Sequence, residues 1–189
     1  MSKLKELRLY FIADPEVAPD PGCAVATEAA IVKDHTLIQD VDDLIRRVIH
    51  ACNTRGGRVK HMVIAGHGNN ATYRIGKSIM YPDSPELARL VVLRGFFTPD
   101  AVVVINACEC GQNQELIKKT AATLGVTVIA YTGDTNVYQW WVFDGIEPSG
   151  NRVVCTATGC RETPTMMEKL KLAFEKGPGE PPAWASRER

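Results

Sequence analysis

The chain has 189 residues, of which 45% are hydrophobic and 23% are charged, and this composition is typical of one globular domain. Lys plus Arg and Asp plus Glu each total 22, so the formal net charge of zero argues against a nucleic-acid binder and against a polybasic membrane anchor. No apolar run approaches the ~20 residues that a membrane-spanning helix needs, and the charged N-terminus lacks a secretory h-region, so we expect a cytoplasmic protein.

Apolar runs alternate with helical patterns along the chain, which predicts an α/β fold with a mainly parallel sheet. The segment at 87–93 fits a helix or a strand, because its periodicity does not decide between them. The other elements predicted for the first half are a strand at 7–12, a helix at 38–51, a strand at 59–65 and a short strand at 73–75.

The second half contains the clearest strand, at 101–107, whose continuous Ala-Val-Val-Val-Ile run predicts burial on both faces in the middle of a parallel sheet. The remaining predictions are a helix at 114–124 ended by Gly125, a strand at 126–131, a hairpin of 139–143 with 152–156, and a helix at 163–174. We therefore expect a single domain at 1–176 and a disordered tail rich in Pro, Gly and charge at 177–189.

Two of the predicted strands end in reactive side chains. His67 follows the strand at 59–65, and Cys108 follows the strand at 101–107. Functional groups in open α/β sheets collect at the carboxyl ends of the strands, so adjacent parallel strands would bring these two residues to one edge. A thiol becomes a nucleophilic thiolate beside a base or a cation, and histidine has the pKa that suits this role near neutral pH. His67 and Cys108 are therefore the candidate catalytic pair.

The neighbours of this pair predict a site for a developing negative charge. Gly68 leaves the backbone N–H after His67 sterically open, and that N–H together with the N–H of Cys108 could form an oxyanion hole. The predicted helix after Cys108 would also direct the positive end of its dipole toward the site, which favours a thiolate.

These motifs resemble a known group of enzymes. Strand-His-Gly followed by strand-Ala-Cys is similar to the cysteine peptidases of the caspase, legumain and clostripain group, and the string Asn-Ala-Cys-Glu-Cys-Gly at 106–111 is nearer to legumain's Glu-Ala-Cys-Glu-Ser-Gly than to the caspase Gln-Ala-Cys-Arg-Gly. The region from His67 to about Gly159 also resembles the bacterial caspase-like domains of large adhesins. The resemblance covers roughly residues 7–160.

The resemblance implies a caspase-like three-layer α/β/α sandwich and a cysteine endopeptidase that acts on a peptide or protein substrate without a cofactor. Peptidases of this group are often activated by cleavage or dimerisation, so a homodimer is also implied. The alternative is a non-catalytic caspase-like module that binds a partner or assembles with itself. Selective alkylation of Cys108 near neutral pH would distinguish an activated thiol from a buried structural one.

Asp14 and Asp134 follow predicted strands, and the resemblance implies that the loops after those strands contribute to the substrate pocket. A carboxylate there would favour a basic residue before the scissile bond, as in clostripain-like relatives. For each aspartate taken alone, a turn residue that bonds to its own backbone is the simpler explanation.

The six cysteines need separate explanations. We expect unpaired thiols at Cys23, Cys52, Cys155 and Cys160, because the chain has no secretory signal and is long enough to build a full core. Cys110 is open to three interpretations: a passive neighbour of Cys108, a second thiol that modulates redox chemistry, or a metal ligand. Its Cys-Glu-Cys context lacks the Cys-x-x-Cys spacing, so no metal site is predicted.

Overall fold

The computed structural model describes residues 5–16, 34–134 and 149–165. Three α-helices lie in these ranges: α1 (Val41–Arg55), α2 (Pro85–Arg89) and α3 (Gln114–Leu124). Two 3₁₀ helices span Leu90–Phe96 and Cys110–Gln112. The strands are β1 (Lys5–Ala13), β2 (Thr36–Ile38), β3 (Gly57–Ala65), β4 (Tyr73–Ile75), β5 (Ser78–Met80), β6 (Phe97–Asn106), β7 (Thr127–Tyr131), β8 (Asn151–Cys155) and β9 (Cys160–Pro164).

Seven of these strands form one central sheet in the order β2-β1-β3-β6-β7-β8-β9. The first five strands in this order are parallel, whereas β8 and β9 add to β7 as an antiparallel hairpin. β4 and β5 form a separate antiparallel pair. The predicted α/β class with a mainly parallel sheet is confirmed. The proposed domain end at residue 176 and the tail at 177–189 lie outside the described residues.

Helix α1 shows how local signals set the element boundaries. The Asp40 side chain accepts a hydrogen bond of 2.9 Å from the backbone N–H of Asp43, which caps the N-terminus. Gly56 adopts the left-handed conformation (φ 64°) and ends the helix. The predicted start at residue 38 is wrong, because Ile38 instead pairs with Ala13 in strand β2.

The main core lies between the helices and one face of the sheet. Alternate residues of the strands are fully buried there, as the pleat requires, and they pack against the apolar faces of α1 and α3. The residues that β3, β6 and β7 contribute to this core are Val59, Met62, Ile64, Phe97, Ala101, Val103, Ile105, Val128 and Ala130. The described helices thus supply one outer layer of the fold. None of them is long and apolar enough to cross a membrane.

The predicted hairpin and the last predicted helix need correction. The strand predicted at 152–156 is present as β8, but it pairs with β7 on one side and β9 on the other. Thr163 and Pro164, which were predicted to begin a helix, belong to β9. The connection at 156–159 closes as a tight turn, with the N–H of Thr156 donating to the carbonyl of Gly159 at 2.8 Å. The predicted segment 139–143 and residues 166–174 lie outside the described residues.

The prediction of unpaired cysteines is wrong for one pair. Cys155 and Cys160 form a disulfide between directly opposed positions of β8 and β9. Cross-strand partners have closely spaced Cβ atoms, and the tight turn between the two strands brings these residues together. Cys52 is buried and lies outside any disulfide, as predicted. Cys23 lies outside the described residues.

We predict that the double variant Cys155→Ser/Cys160→Ser unfolds at lower denaturant concentration than the oxidised protein. The disulfide closes a loop with a sequence separation of 5, and the chain-entropy model gives about 2 kcal/mol of stabilisation for so short a loop. The measurement is urea unfolding of both proteins. Intact mass before and after reduction is the control, since the wild type should gain two hydrogens, and a wild type of unchanged mass would contradict the prediction.

Candidate functional site

The pairing of β3 with β6 brings the two candidate catalytic residues to one edge of the sheet. The strands are parallel, and their last register pair is Ala65 opposite Asn106. The N–H of Gly66 continues the ladder by donating to the carbonyl of Asn106 at 3.1 Å. His67 and Cys108 each stand two positions beyond the same register pair. The predicted adjacent and parallel arrangement of their strands is confirmed.

His67 lies on a tight reversal of the chain after β3. Its carbonyl accepts a 2.8 Å hydrogen bond from the N–H of Arg74, and the N–H of Asn69 donates to the carbonyl of Thr72 at 2.9 Å. The Asn69 side chain stabilises the turn, because its Oδ1 accepts the backbone N–H groups of Ala71 and Thr72, each at 2.8 Å. We call residues 66–75 the His67 hairpin. It fixes the backbone on both sides of His67.

Gly68 provides the direct contact between the two reactive segments. A Cβ atom added to Gly68 would lie 2.7 Å from the carbonyl oxygen of Cys108 and 2.8 Å from the Cβ of Ala107. Only glycine allows the backbone segments that carry His67 and Cys108 to approach so closely. Gly68 lies opposite Tyr73 in an isolated antiparallel bridge. The two hydrogen bonds of this bridge are donated by the N–H groups of Asn69 and Arg74, so the Gly68 N–H takes no part in the bridge.

A sharp turn follows Cys108. Glu109 has a left-handed backbone (φ 54°), which is the only such non-glycine conformation among the described residues. Its N–H donates to the carbonyl of Gly133 at 2.9 Å, in the loop after β7. A left-handed non-glycine residue is strained, and such residues cluster at functional sites. The turn leads into the second 3₁₀ helix, and α3 then begins at Gln114, as predicted.

Three consecutive amide side chains before and at the start of α3 reach three different neighbours. Gln112 Nε2 donates to the carbonyl of Thr132 at 2.8 Å, and Asn113 Nδ2 donates to the carbonyl of Ala71 at 3.0 Å. Gln114 Nε2 donates to Glu162 Oε2 on β9, also at 2.8 Å. None of these contacts could be predicted from the sequence. An asparagine before a helix does predict an N-cap. The second hydrogen bond of Asn113, to Ala71, has no local pattern in the sequence that would predict it.

Cys110 is fully buried, and burial raises the pKa of its thiol to about 12. Its Sγ lies 3.9 Å from the carbonyl oxygen of Ile105, inside the main core. These facts favour a passive buried thiol over a redox partner. Within the described ranges, no group of three or more His, Cys, Asp or Glu side chains is arranged to hold a metal ion. Cys108, in contrast, is half-buried.

The two aspartates flank the pair on opposite sides. Asp14 directly follows β1, which borders β3, and Asp134 follows β7, which borders β6. Three strand spacings, or about 14 Å, separate β1 from β7, so the loops that carry the two aspartates leave the sheet on opposite sides of the pair. Asp14 Oδ1 accepts the N–H of Glu16 at 3.0 Å, as in an Asx turn. Asp134 is exposed, and its carboxylate has no hydrogen-bond partner within the described part of the chain.

Comparison with known proteins relates the chain to a protein family. Residues 33–153 match the model of a family described as a domain of unknown function, DUF8616. The match covers nearly two thirds of the 189 residues. The chain belongs to this family. No curated protein and no solved structure matches the chain. The region matched to DUF8616 contains His67, Cys108 and Asp134, whereas Asp14 lies before it.

We predict that iodoacetamide labels Cys108 in the folded protein near neutral pH and spares Cys110. Cys110 is inaccessible, and its raised pKa leaves almost no thiolate, whereas the Cys108 side chain is partly exposed. Peptide mapping by mass spectrometry after a timed reaction provides the measurement. Both thiols should react in denaturant, which serves as the control, and equal labelling in the folded protein would contradict the prediction.

Proposed function

We propose that this member of the DUF8616 family is a cysteine endopeptidase with a caspase-like fold, in which His67 and Cys108 form the catalytic dyad. The observation that carries the proposal is the register of β3 and β6, which sets both residues two positions beyond one register pair at the carboxyl edge of the sheet. This is the edge at which open α/β sheets place their functional groups. The three-layer arrangement and a dimeric active form are parts of the same proposal.

The backbone around the pair supports this function. Gly68 packs against the carbonyl of Cys108, so the segment after the histidine and the segment after the cysteine share one surface. The left-handed Glu109 turns the chain away immediately after Cys108. The same strategy is used at other nucleophiles, which stand on a sharp, strained turn after a strand so that the side chain is presented to the substrate.

The first chemical step would be attack by the Cys108 thiolate on the scissile carbonyl carbon. A bond forms between Sγ and that carbon, and the carbonyl oxygen takes up the negative charge. The N–H groups of Gly68 and Cys108 would stabilise this oxyanion, and the Gly68 N–H is outside the bridge to Tyr73. When the intermediate collapses, the C–N bond breaks and the leaving amine takes a proton from His67.

The second step would be hydrolysis of the resulting thioester. His67, now neutral, accepts a proton from water, and the hydroxide attacks the acyl carbon. The C–S bond breaks and returns the Cys108 thiolate with the released carboxylic acid. The two steps restore both residues and require no metal or cofactor.

We predict that Cys108→Ala lowers kcat/KM for peptide cleavage by at least about 10⁴-fold, since a nucleophile cannot be replaced by the remaining binding groups. His67→Ala should cause a loss of similar order. A peptide library with fluorogenic readout provides the substrates, and Cys110→Ala is the matched control because its thiol is buried away from the substrate.

Two results would contradict this prediction. Cleavage that survives in the Cys108→Ala protein would come from a contaminant or from another residue. A wild type that cleaves no library member, and whose Cys108 alkylates at the same rate with or without His67, would favour the alternative of a non-catalytic module.

We further propose that Asp134 selects Arg or Lys before the scissile bond. Asp134 lies on the Cys108 side of the site and is exposed, whereas the Asp14 carboxylate accepts a hydrogen bond within its own turn. A carboxylate pairs with a guanidinium in a bidentate, charge-assisted way and repels acidic side chains.

We predict that Asp134→Asn lowers kcat/KM for substrates with Arg in that position about tenfold relative to neutral ones, a loss of ~1.4 kcal/mol. Asp14→Asn is the matched control, since it removes the same charge from the loop after β1, three strands across the sheet from β7. Cleavage profiles of the three proteins decide the question. The pocket assignment is wrong if basic substrates are not preferred, or if Asp134→Asn leaves the preference intact.

A further inference from the structure

Asn113 uses both ends of its side-chain amide, and each end serves a different segment of the candidate site. Its Oδ1 accepts the N–H of Leu116 at 3.1 Å and caps the N-terminus of α3, the helix that follows the Cys108 turn. Its Nδ2 donates to the carbonyl of Ala71 at 3.0 Å, in the turn of the His67 hairpin. One side chain therefore joins the segments that carry the two reactive residues.

We propose that Asn113 is a positioning residue that holds the His67 hairpin against the start of α3 and so fixes His67 relative to Cys108. Its meaning for catalysis rests on the proposed function. Asparagine is suited to this place because it has an acceptor and a donor on one short planar group. Aspartate would cap the helix equally well but would offer only acceptors to the Ala71 carbonyl.

A second contact joins the same hairpin to α3, on the buried side of its turn. Tyr73 directly follows the turn, opposite Gly68, and its side chain is buried with the hydroxyl 3.1 Å from Thr120 Oγ1 on α3. Burial raises the pKa of Tyr73 far above its usual range, so the phenol stays neutral in this contact. The exposed turn itself is joined to the N-cap of the same helix by the Asn113–Ala71 hydrogen bond.

The neighbouring amides do not duplicate this role. Gln112 reaches the loop after β7, and Gln114 reaches Glu162 on β9. Both contacts lie on the side of Cys108 away from β3. Of the three amides, Asn113 is the one that binds the His67 hairpin. Its loss should therefore change the position of His67 relative to Cys108, while the contacts of Gln112 and Gln114 remain.

The test compares Asn113→Asp with two controls of known structural effect. Gln114→Ala removes an amide contact from the adjacent position, and Ser84→Ala removes the N-cap of α2, whose side-chain hydrogen bonds stay within residues 81–87. The first measurement is the pH profile of the alkylation rate of Cys108, from about pH 5 to about pH 10, with His67→Ala defining the part that depends on the histidine. The second is amide hydrogen exchange of residues 69–74.

We expect Asn113→Asp to lose the His67-dependent part of the alkylation profile and to exchange the hairpin amides at least about tenfold faster, because a carboxylate replaces the donor that held the turn. In a cleavage assay its kcat should fall about 10- to 100-fold with KM little changed, as misplacement of a catalytic group predicts. Both controls should keep the wild-type alkylation profile and kcat. Asn113→Ser, which keeps a capping oxygen but cannot reach Ala71, should behave like Asn113→Asp.

The outcomes separate this proposal from the proposed function. Hairpin amides that exchange at the wild-type rate in Asn113→Asp would overturn the positioning role, whatever the wild type cleaves. Faster exchange with a retained His67-dependent profile would also overturn it. Faster exchange in a protein whose wild type shows no effect of His67 on Cys108 would support the hydrogen-bond role of Asn113 and reject the peptidase.

Discussion

The parallel, in-register pairing of β3 with β6 is the constraint on which the candidate site depends. Parallel strands end at the same edge of a sheet, and here the ladder runs to Ala65 and Asn106 before both chains leave it. The residues that follow are His67 and Cys108. The close packing of Gly68 on the Cys108 backbone then keeps the two outgoing segments together, since no larger residue fits between them.

The segments beyond the sheet are held by side-chain amides rather than by further apolar packing. Asn69 shapes the turn after His67, and Gln112, Asn113 and Gln114 bind the start of α3 to three neighbouring elements. Hydrogen bonds to backbone carbonyls are directional, so they set positions in loops where apolar contacts would leave several arrangements of similar energy. Cys110, beneath these loops, contributes packing alone because it is buried and its pKa is raised.

The elements with strong local patterns could be predicted from the sequence, and those chosen by distant partners could not. The strand ending at Asn106 and the helix ending at Gly125 follow from a continuous β-branched run and from a glycine cap. The two strands that pair with β8 could not be predicted in this way, because its antiparallel pairing with β7 and β9 depends on the assembled sheet. The disulfide between Cys155 and Cys160 could not be predicted for the same reason. Nor could the hydrogen bond between Asn113 and Ala71, which are 42 residues apart in the sequence. The sequence did place His67, Gly68 and Cys108 at one edge of the sheet. The strand assignments alone are enough for this, because the carboxyl ends of parallel strands lie at the same edge.

The long connection between β3 and β6 has a consequence for how the site forms. Ala65 and Asn106 face each other only after the chain between them has closed a large loop that contains β4, β5 and α2. Such non-local pairings pay their loop entropy before they gain contact energy, and they slow folding. Helix α3 can form from local interactions, but the meeting of the two strand ends cannot. The juxtaposition of histidine and cysteine is therefore a property of the completed sheet, and it is absent from every partly folded state in which β3 and β6 are apart, however much helix that state retains.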